Sequence, residues 1–373
     1  MATARAYLLV VRRLLLAALA VIMLLLAAVP AEGATTRKKA MWGPAFKDGV
    51  SQFPIYADLG VGIWQYTLAW NGVAPEKPTN PRDPSDSAYR WPHELDRAMD
   101  EAARHGISVS LAVVGSPPWA NGGKPWRWAP KRTLDYADFI EAAARRYTAV
   151  RHWQIWIEPT KASNFQPLRS DRGRELKGRG LRGPRRYASL LDAAYVRLKR
   201  LSPRNLVIGG NTYTVGTVAP LRWIRALRLE SGRRPRMDLW GHNPFTLRRP
   251  DLRQPKLGSG YADFSDLDVL VRALDRAMKR SPRGQRRLRV FISEFALPTD
   301  SRNWQFNFYV SRDIQADWIR RALRIVRPWK RIYTFGYLGL YDEGPRPAND
   351  QARWGLIDED GRHKPAYSAF RDG

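Results

Sequence analysis

The chain has 373 residues, 44% hydrophobic and 11% aromatic, which is enough for a sizeable core and argues against extensive disorder. It contains no cysteine, so disulfides, thiolate metal sites and a cysteine nucleophile are excluded. The net charge of +28 is scattered along the chain and not gathered into a nucleic-acid module; an acidic envelope polymer or an anionic membrane surface suits it better than nucleic acid.

At the N-terminus, Arg5, Arg12 and Arg13 precede an apolar run from Leu14 to Val29, and small residues follow at Ala31, Gly33 and Ala34. This is the three-part layout of an export signal, over residues 1–34. The run is also nearly long enough to stay as a membrane anchor. In both cases the arginines keep their flank in the cytoplasm, so the remainder is expected outside, secreted or held on the outer face of the membrane.

From residue 39 onward, short apolar runs alternate with amphipathic stretches. The first strands are "KAMWGPA" (39–45) and "VGIWQYTLAW" (61–70); "HELDRAMDEAARHG" (93–106) then reads as a helix with Leu95, Met99 and Ala102 on one face. Strand three, "SVSLAVVGS" (108–116), precedes a helix at 134–147. Strand four, "HWQIWIEP" (152–159), precedes one at 185–201. Strand five, "NLVIGGNT" (205–212), is followed by a helix at 220–229, and strand six, "MDLWGHNPF" (237–245), by one at 265–280. Strand seven, "RVFISEFA" (289–296), leads to a helix at 312–326, and strand eight is "IYTFGYLGL" (332–340). Eight such units predict an α/β fold, a single (β/α)₈ barrel over residues 39–373. An open doubly wound sheet fits less well, because no glycine-rich phosphate turn follows the first strand.

Active sites of such barrels lie at the C-terminal strand ends. Those ends carry Trp70 and Asn71 on strand two, Trp119 after strand three, Glu158 on strand four and Asn211 on strand five. His242 and Asn243 lie on strand six, Glu294 on strand seven, and Tyr337, Tyr341 and Asp342 on or after strand eight. Two carboxylates across one mouth, one keeping its proton and one ionised, are the equipment for cleaving a glycosidic bond. Trp and Tyr suit the apolar faces of sugar rings, and Asn and His suit hydroxyls.

"WQIWIEP" and "VFISEFA" resemble the acid/base and nucleophile motifs of clan A glycoside hydrolases. "GSPPWA" after strand three and the tail "WGLIDEDGRHKPAYSAF" (354–370) are similar to members of that clan, nearest to its families 39 and 5. The resemblance covers roughly residues 40 to 370. It implies that Glu158 is the general acid/base and Glu294 the nucleophile of a retaining mechanism on a carbohydrate substrate. Trp70, Trp119, Asn164, Asn211, His242, Asn243 and Tyr337 are the candidate substrate contacts. Two positions depart from the pattern. Ile157 stands where the clan places an asparagine that binds the 2-hydroxyl, a task open to Asn211 or Asn164. Gln65 stands where family 5 members carry an arginine, and it can hydrogen-bond a nucleophile carboxylate but not neutralise it.

Several residues keep two readings. His242 is a core histidine or a substrate contact, and Trp70, Trp119 and Tyr337 are core aromatics or sugar platforms. Trp126 and Trp128, in a loop rich in glycine and proline, are harder to assign to a core. The stretch "RSDRGRELKGRGLRGPRR" (169–186) reads as a solvated basic insertion. No HxH, HExxH or calcium-loop spacing is present, so neither a metal nor another cofactor is expected. The nucleophile-elbow context of a serine hydrolase is missing as well. A carbohydrate-binding barrel with weakened chemistry is the alternative that Ile157 brings forward.

Overall fold

The structure is a computed structural model describing residues 39–278, 287–302, 308–343 and 353–373. The export segment expected over residues 1–34 lies outside them. Among the described residues no helix is long and apolar enough to cross a membrane.

Eight parallel strands close into a barrel. They are β1 (Lys39–Trp42), β4 (Ile63–Ala69), β5 (Ser108–Val114), β6 (His152–Ile155), β7 (Leu206–Tyr213), β8 (Leu239–Asn243), β9 (Arg289–Ile292) and β10 (Ile332–Leu338). β1 closes the ring by pairing with both β4 and β10. The small hairpin of β2 (Phe46–Lys47) and β3 (Val50–Ser51) stands apart from it. The strands are rich in Val, Ile, Leu and Trp because both their faces are buried, the inner by other strands and the outer by helices.

Helices His93–Arg104, Thr133–Arg146, Arg182–Leu201, Pro220–Ala226, Leu267–Met278 and Arg312–Val326 match the six expected ones. Each turns an apolar stripe to the barrel: the first buries Leu95, Ala98 and Ala102. The short helices Phe53–Asp58 and Pro365–Asp372 escaped the periodicity reading because one to two turns cannot establish a period.

Inside the barrel, side chains stack in layers. Ala40, Ile63, Ile208, Leu239 and Phe291 form an apolar plug. Two positions further along the strands comes a polar layer, where the Gln65, Gln154, Ser110 and Ser293 side chains hydrogen-bond one another. The period of two that separates these layers also decides which residue at each strand end can face the mouth. The C-terminal tail is tied down by Lys364, whose fully buried ammonium pairs with Asp342 at 2.6 Å and donates to Thr299 Oγ1 at 2.9 Å.

Candidate active site

The mouth is shaped by a kink after β6. The strand ends at Ile155, with one more bond from the Trp156 amide to the Val113 carbonyl at 3.0 Å, two residues before Glu158. Trp156 and Glu158 both adopt positive φ, 64° and 44°. Such conformations cost about 1–3 kcal/mol each and persist only where neighbours enforce them. Here Asn211 Nδ2 donates to the Trp156 carbonyl at 2.7 Å, and Trp156 Nε1 donates to the Asn164 carbonyl at 2.7 Å. The double reversal brings Glu158 over the top of the barrel, where it is 5% exposed. Ile157, between the two strained residues, is half-buried.

Three donors meet Glu158. Lys161 Nζ lies 2.9 Å from Oε2, Asn243 Nδ2 lies 3.0 Å from Oε1, and Asn164 Nδ2 reaches Oε2 at 3.4 Å. Burial works against the Lys161 ammonium, but the charge and hydrogen bond of Glu158 outweigh it, and the lysine pKa is raised. Lys161 was not among the expected site residues, although three positions after Glu158 put it within reach.

Glu294 lies two residues beyond β9 and is half-buried. Burial, and then the charge of Glu158, push its pKa up to about 8; Lys161 and the Asn243 amide oppose the rise without cancelling it. Among the described residues no lysine or arginine pairs with it. Gln65 does not reach it either, which corrects the expectation at that position. Its amide donates to the Ser293 carbonyl at 2.8 Å, and its oxygen accepts from Gln154 at 2.9 Å. Glutamine has satisfied its hydrogen bonds one layer below. Trp42 Nε1 donates to the same Ser293 carbonyl at 3.1 Å, so the backbone beside Glu294 is held from two strands.

Of the remaining expected contacts, Asn243 and Asn164 join the site through Glu158, and Trp119 is half-buried with Nε1 bonded to the Ala74 carbonyl. Four expectations are corrected. Trp70 is fully buried against Trp119, Tyr136 and Phe139 and has no face for a sugar. Tyr337 is fully buried, its ring 5.8 Å from Phe370 of the last helix and its hydroxyl on the Trp354 carbonyl. Asn211, 1% exposed, holds the Trp156 kink and is not available to a substrate hydroxyl.

His242 is also fully buried. Its Nε2 meets the Ala262 carbonyl, so that nitrogen carries the hydrogen and Nδ1 accepts from the Thr212 hydroxyl. Burial depresses its pKa to about 4, which keeps it neutral. His242 and Asn243 are successive strand residues on opposite faces. Asn243 takes the barrel face, in step with Leu239 in the apolar plug.

Tyr213, at the end of β7, is a second residue that sequence reasoning passed over. Its pKa is raised by burial and then by the charges of Glu158 and Glu294, so it lies within electrostatic range of both carboxylates. Its ring carries Lys161 Nζ 4.6 Å above it and meets Phe245 at 5.6 Å. It opens onto a cleft of about 360 Å³ that continues past Phe245 and Ala296 to Leu247, Leu257 and Tyr261. The last three are 74%, 42% and 37% exposed, a concentration of apolar surface that marks a binding face. Arg248 at its rim is neutralised by Asp263 and Asp266. Among the described residues no group of His, Asp and Glu is arranged to hold a metal ion.

No family model matches this chain, and no curated protein does. Solved structures do. A family 39 glycoside hydrolase from the gut symbiont Bacteroides cellulosilyticus WH2 superposes with a TM-score of 0.65 at 17% identity, over 90% of this chain and 62% of that one. The two share the barrel fold. A monomeric β-xylosidase from Caulobacter crescentus CB15 gives a TM-score of 0.58 at 16% identity, over 90% of this chain and 66% of that one. One of two fungal β-1,4-galactanases gives 0.53 at 16% identity, over 87% and 92%. At these identities the likeness is one of fold. This chain spans less than two thirds of the family 39 enzyme and nearly the whole of the galactanase.

Proposed function

We propose that this protein is an exported glycoside hydrolase that cleaves O-glycosidic, β-linked bonds of a polysaccharide or oligosaccharide by double displacement. The observation that carries the reading is a pair of glutamates at the barrel mouth in unlike surroundings, Glu158 paired with Lys161 and Glu294 with its pKa raised by burial, beside an apolar cleft. The fold shared with a family 39 glycoside hydrolase, a β-xylosidase and a galactanase supports it.

In this reading Glu294 attacks the anomeric carbon while Glu158 protonates the departing oxygen. Glu158 then takes a proton from the water that releases the sugar. The reaction needs one proton on the pair, and burial with the charge of Glu158 pushes the Glu294 pKa up to about 8 in the free protein. Cleavage in this reading requires that proton to stand on Glu158 when the glycosidic oxygen is bound, so substrate binding must shift it from Glu294. Asn243, already bonded to Glu158, steadies the pair during this exchange.

The ion pair of Lys161 with Glu158 favours a second reading, a barrel that binds glycan and no longer cleaves it. Dinitrophenyl β-glycosides separate the two, since their leaving group needs little acid assistance. The panel is xyloside, glucoside, galactoside, mannoside and arabinoside. Dye release by wild type and Glu158→Gln, but not by Glu294→Gln, is the expected result. Release by Glu294→Gln would remove the nucleophile assignment. Silence across the panel with retained glycan binding would favour the second reading.

A further inference from the structure

The basic stretch after strand four is not a loose insertion. Residues 169–180 line a concavity of about 480 Å³ with the exposed side chains Arg169, Arg172, Arg174, Lys177 and Arg179. The two acids of the same segment are engaged from behind. Asp171 accepts from the Ala219 amide at 2.7 Å and pairs with Arg222 at 3.3 Å, and Glu175 is gripped bidentately by Arg225. Arg222, itself 7% exposed, also donates to the Gly173 carbonyl at 2.7 Å and the Ser259 carbonyl at 2.6 Å. Five cations are therefore presented on a clamped loop with its own carboxylates neutralised. Such an array attracts polyanions and loses little entropy on binding them.

The loop also adjoins the mouth. Thr217 Oγ1 accepts from the Ala162 amide, one residue past Lys161, and the Thr217 carbonyl accepts from the Asp171 amide. The segment 213–217 begins at Tyr213, within electrostatic range of both glutamates and lining the apolar cleft, and ends hydrogen-bonded to the basic loop. A single five-residue segment thus joins the cleft to the cations.

We infer that the loop of Arg169, Arg172, Arg174, Lys177 and Arg179 is a binding site for an acidic polysaccharide, one carrying carboxylate or sulfate groups, whose chain continues into the glycosidase mouth. The inference rests on the hydrolase reading for its direction along the chain, but the binding is measurable without turnover.

The test measures affinity of the full chain for four fluorescently labelled ligands at two salt concentrations. These are an oligogalacturonate, a sulfated oligosaccharide, a neutral xylo-oligosaccharide of equal length and a short DNA duplex. Vesicles containing phosphatidylserine are the fifth arm. The variant Arg172→Gln/Arg174→Gln/Arg179→Gln is compared with a control removing the same charge elsewhere, Arg204→Gln/Arg320→Gln/Arg324→Gln. One or both acidic glycans should bind in a salt-dependent way. The loop variant should weaken that binding about tenfold or more and flatten its salt slope, while the control changes it little. Turnover of small aryl glycosides should be equal in all three proteins.

An equal loss in the control would overturn the proposal, because the charge would then act from everywhere. Tighter binding of DNA or vesicles than of either glycan, with the same loop dependence, would overturn the choice of partner. Binding of no acidic glycan, with aryl glycosides still cleaved, would sink this inference alone. Loop-dependent glycan binding without any turnover would uphold the site and sink the hydrolase reading instead.

Discussion

Glu158 and Glu294 are the same side chain at the ends of two parallel strands of one barrel, and their surroundings differ in almost every respect. Around Glu158 the chain supplies a lysine at 2.9 Å and two amide donors, on a backbone strained at φ 44°. Around Glu294 it supplies burial, a neighbouring negative charge and, among the described residues, no paired cation, and its pKa is pushed up to about 8. Two identical carboxyls thereby hold one proton between them unequally, as two-carboxylate catalysis requires. In the free protein, however, the proton lies on the residue that the resemblance names as nucleophile. Burial is chiefly responsible, with the charge of Glu158 added, while Lys161 pairs with Glu158 and opposes the rise at Glu294.

The comparison is broken most severely at Glu294. Replacing it with glutamine should lower turnover of every glycoside by about 10³-fold or more, as expected for a lost nucleophile. Glu158→Gln should cost about 10²–10⁴-fold on alkyl glycosides and far less on dinitrophenyl glycosides. Steady-state rates on both leaving-group types decide it, and equal losses for the two variants on both would remove the division of labour.

Lys161→Met is next in size. It leaves Glu158 nearly buried without its cation and should destabilise the fold by about 1–3 kcal/mol, since the lysine is partly exposed and the loss is smaller than for a fully buried pair. Because Lys161 also holds the Glu294 pKa down, the alkaline limb of the rate profile should move above its position near pH 8. Urea unfolding and a pH–rate profile read the two effects, and an unmoved limb would show that the lysine does not act on the pair.

Asn211→Ala removes the donor to the Trp156 carbonyl at the kink and should cost about 1–2 kcal/mol by urea unfolding. It should lower kcat more than it raises KM, because it lets Glu158 drift without touching substrate. A pure KM effect would mean that Asn211 contacts the sugar after all.

A further prediction concerns stability against pH. Glu294 has a higher pKa folded than its ordinary value of 4.5, so the folded state keeps this proton longer than the unfolded state does. Its contribution is full below pH 4.5 and is lost as pH rises toward 8. The Tm of Glu294→Gln relative to wild type should therefore increase between pH 5 and pH 8.5; a constant difference would show that Glu294 titrates normally.

Much of this was legible in advance because it rests on local pattern. The eight apolar runs and the amphipathic stretches between them stated the barrel, and each expected strand lies where the structure has one. The expected C-terminal ends ran long at strands four and seven, to residues 159 and 296 where the strands end at Ile155 and Ile292. Mouth residues such as Trp156, Phe295 and Ala296 are as buried as strand residues, so hydrophobicity does not reveal where the ladder ends. His242 against Asn243 was decidable by strand parity alone. Tyr337 was not, because the register of β10 shifts between Ile332 and Thr334.

The sequence by itself determined the barrel and the presence of glutamates at the ends of strands four and seven, because periodicity and strand order are properties of the chain. Tertiary structure alone decided which neighbour each carboxyl meets. Lys161 meets Glu158 just past a kink of two left-handed residues, Trp156 and Glu158, that Asn211, from the next strand, helps to hold. Gln65 spends its hydrogen bonds a layer below Glu294, and the acids of the basic loop are taken up by Arg222 and Arg225, some fifty positions away. Coulomb energy and burial depend on distance in space, and over such sequence separations only the closed barrel sets that distance.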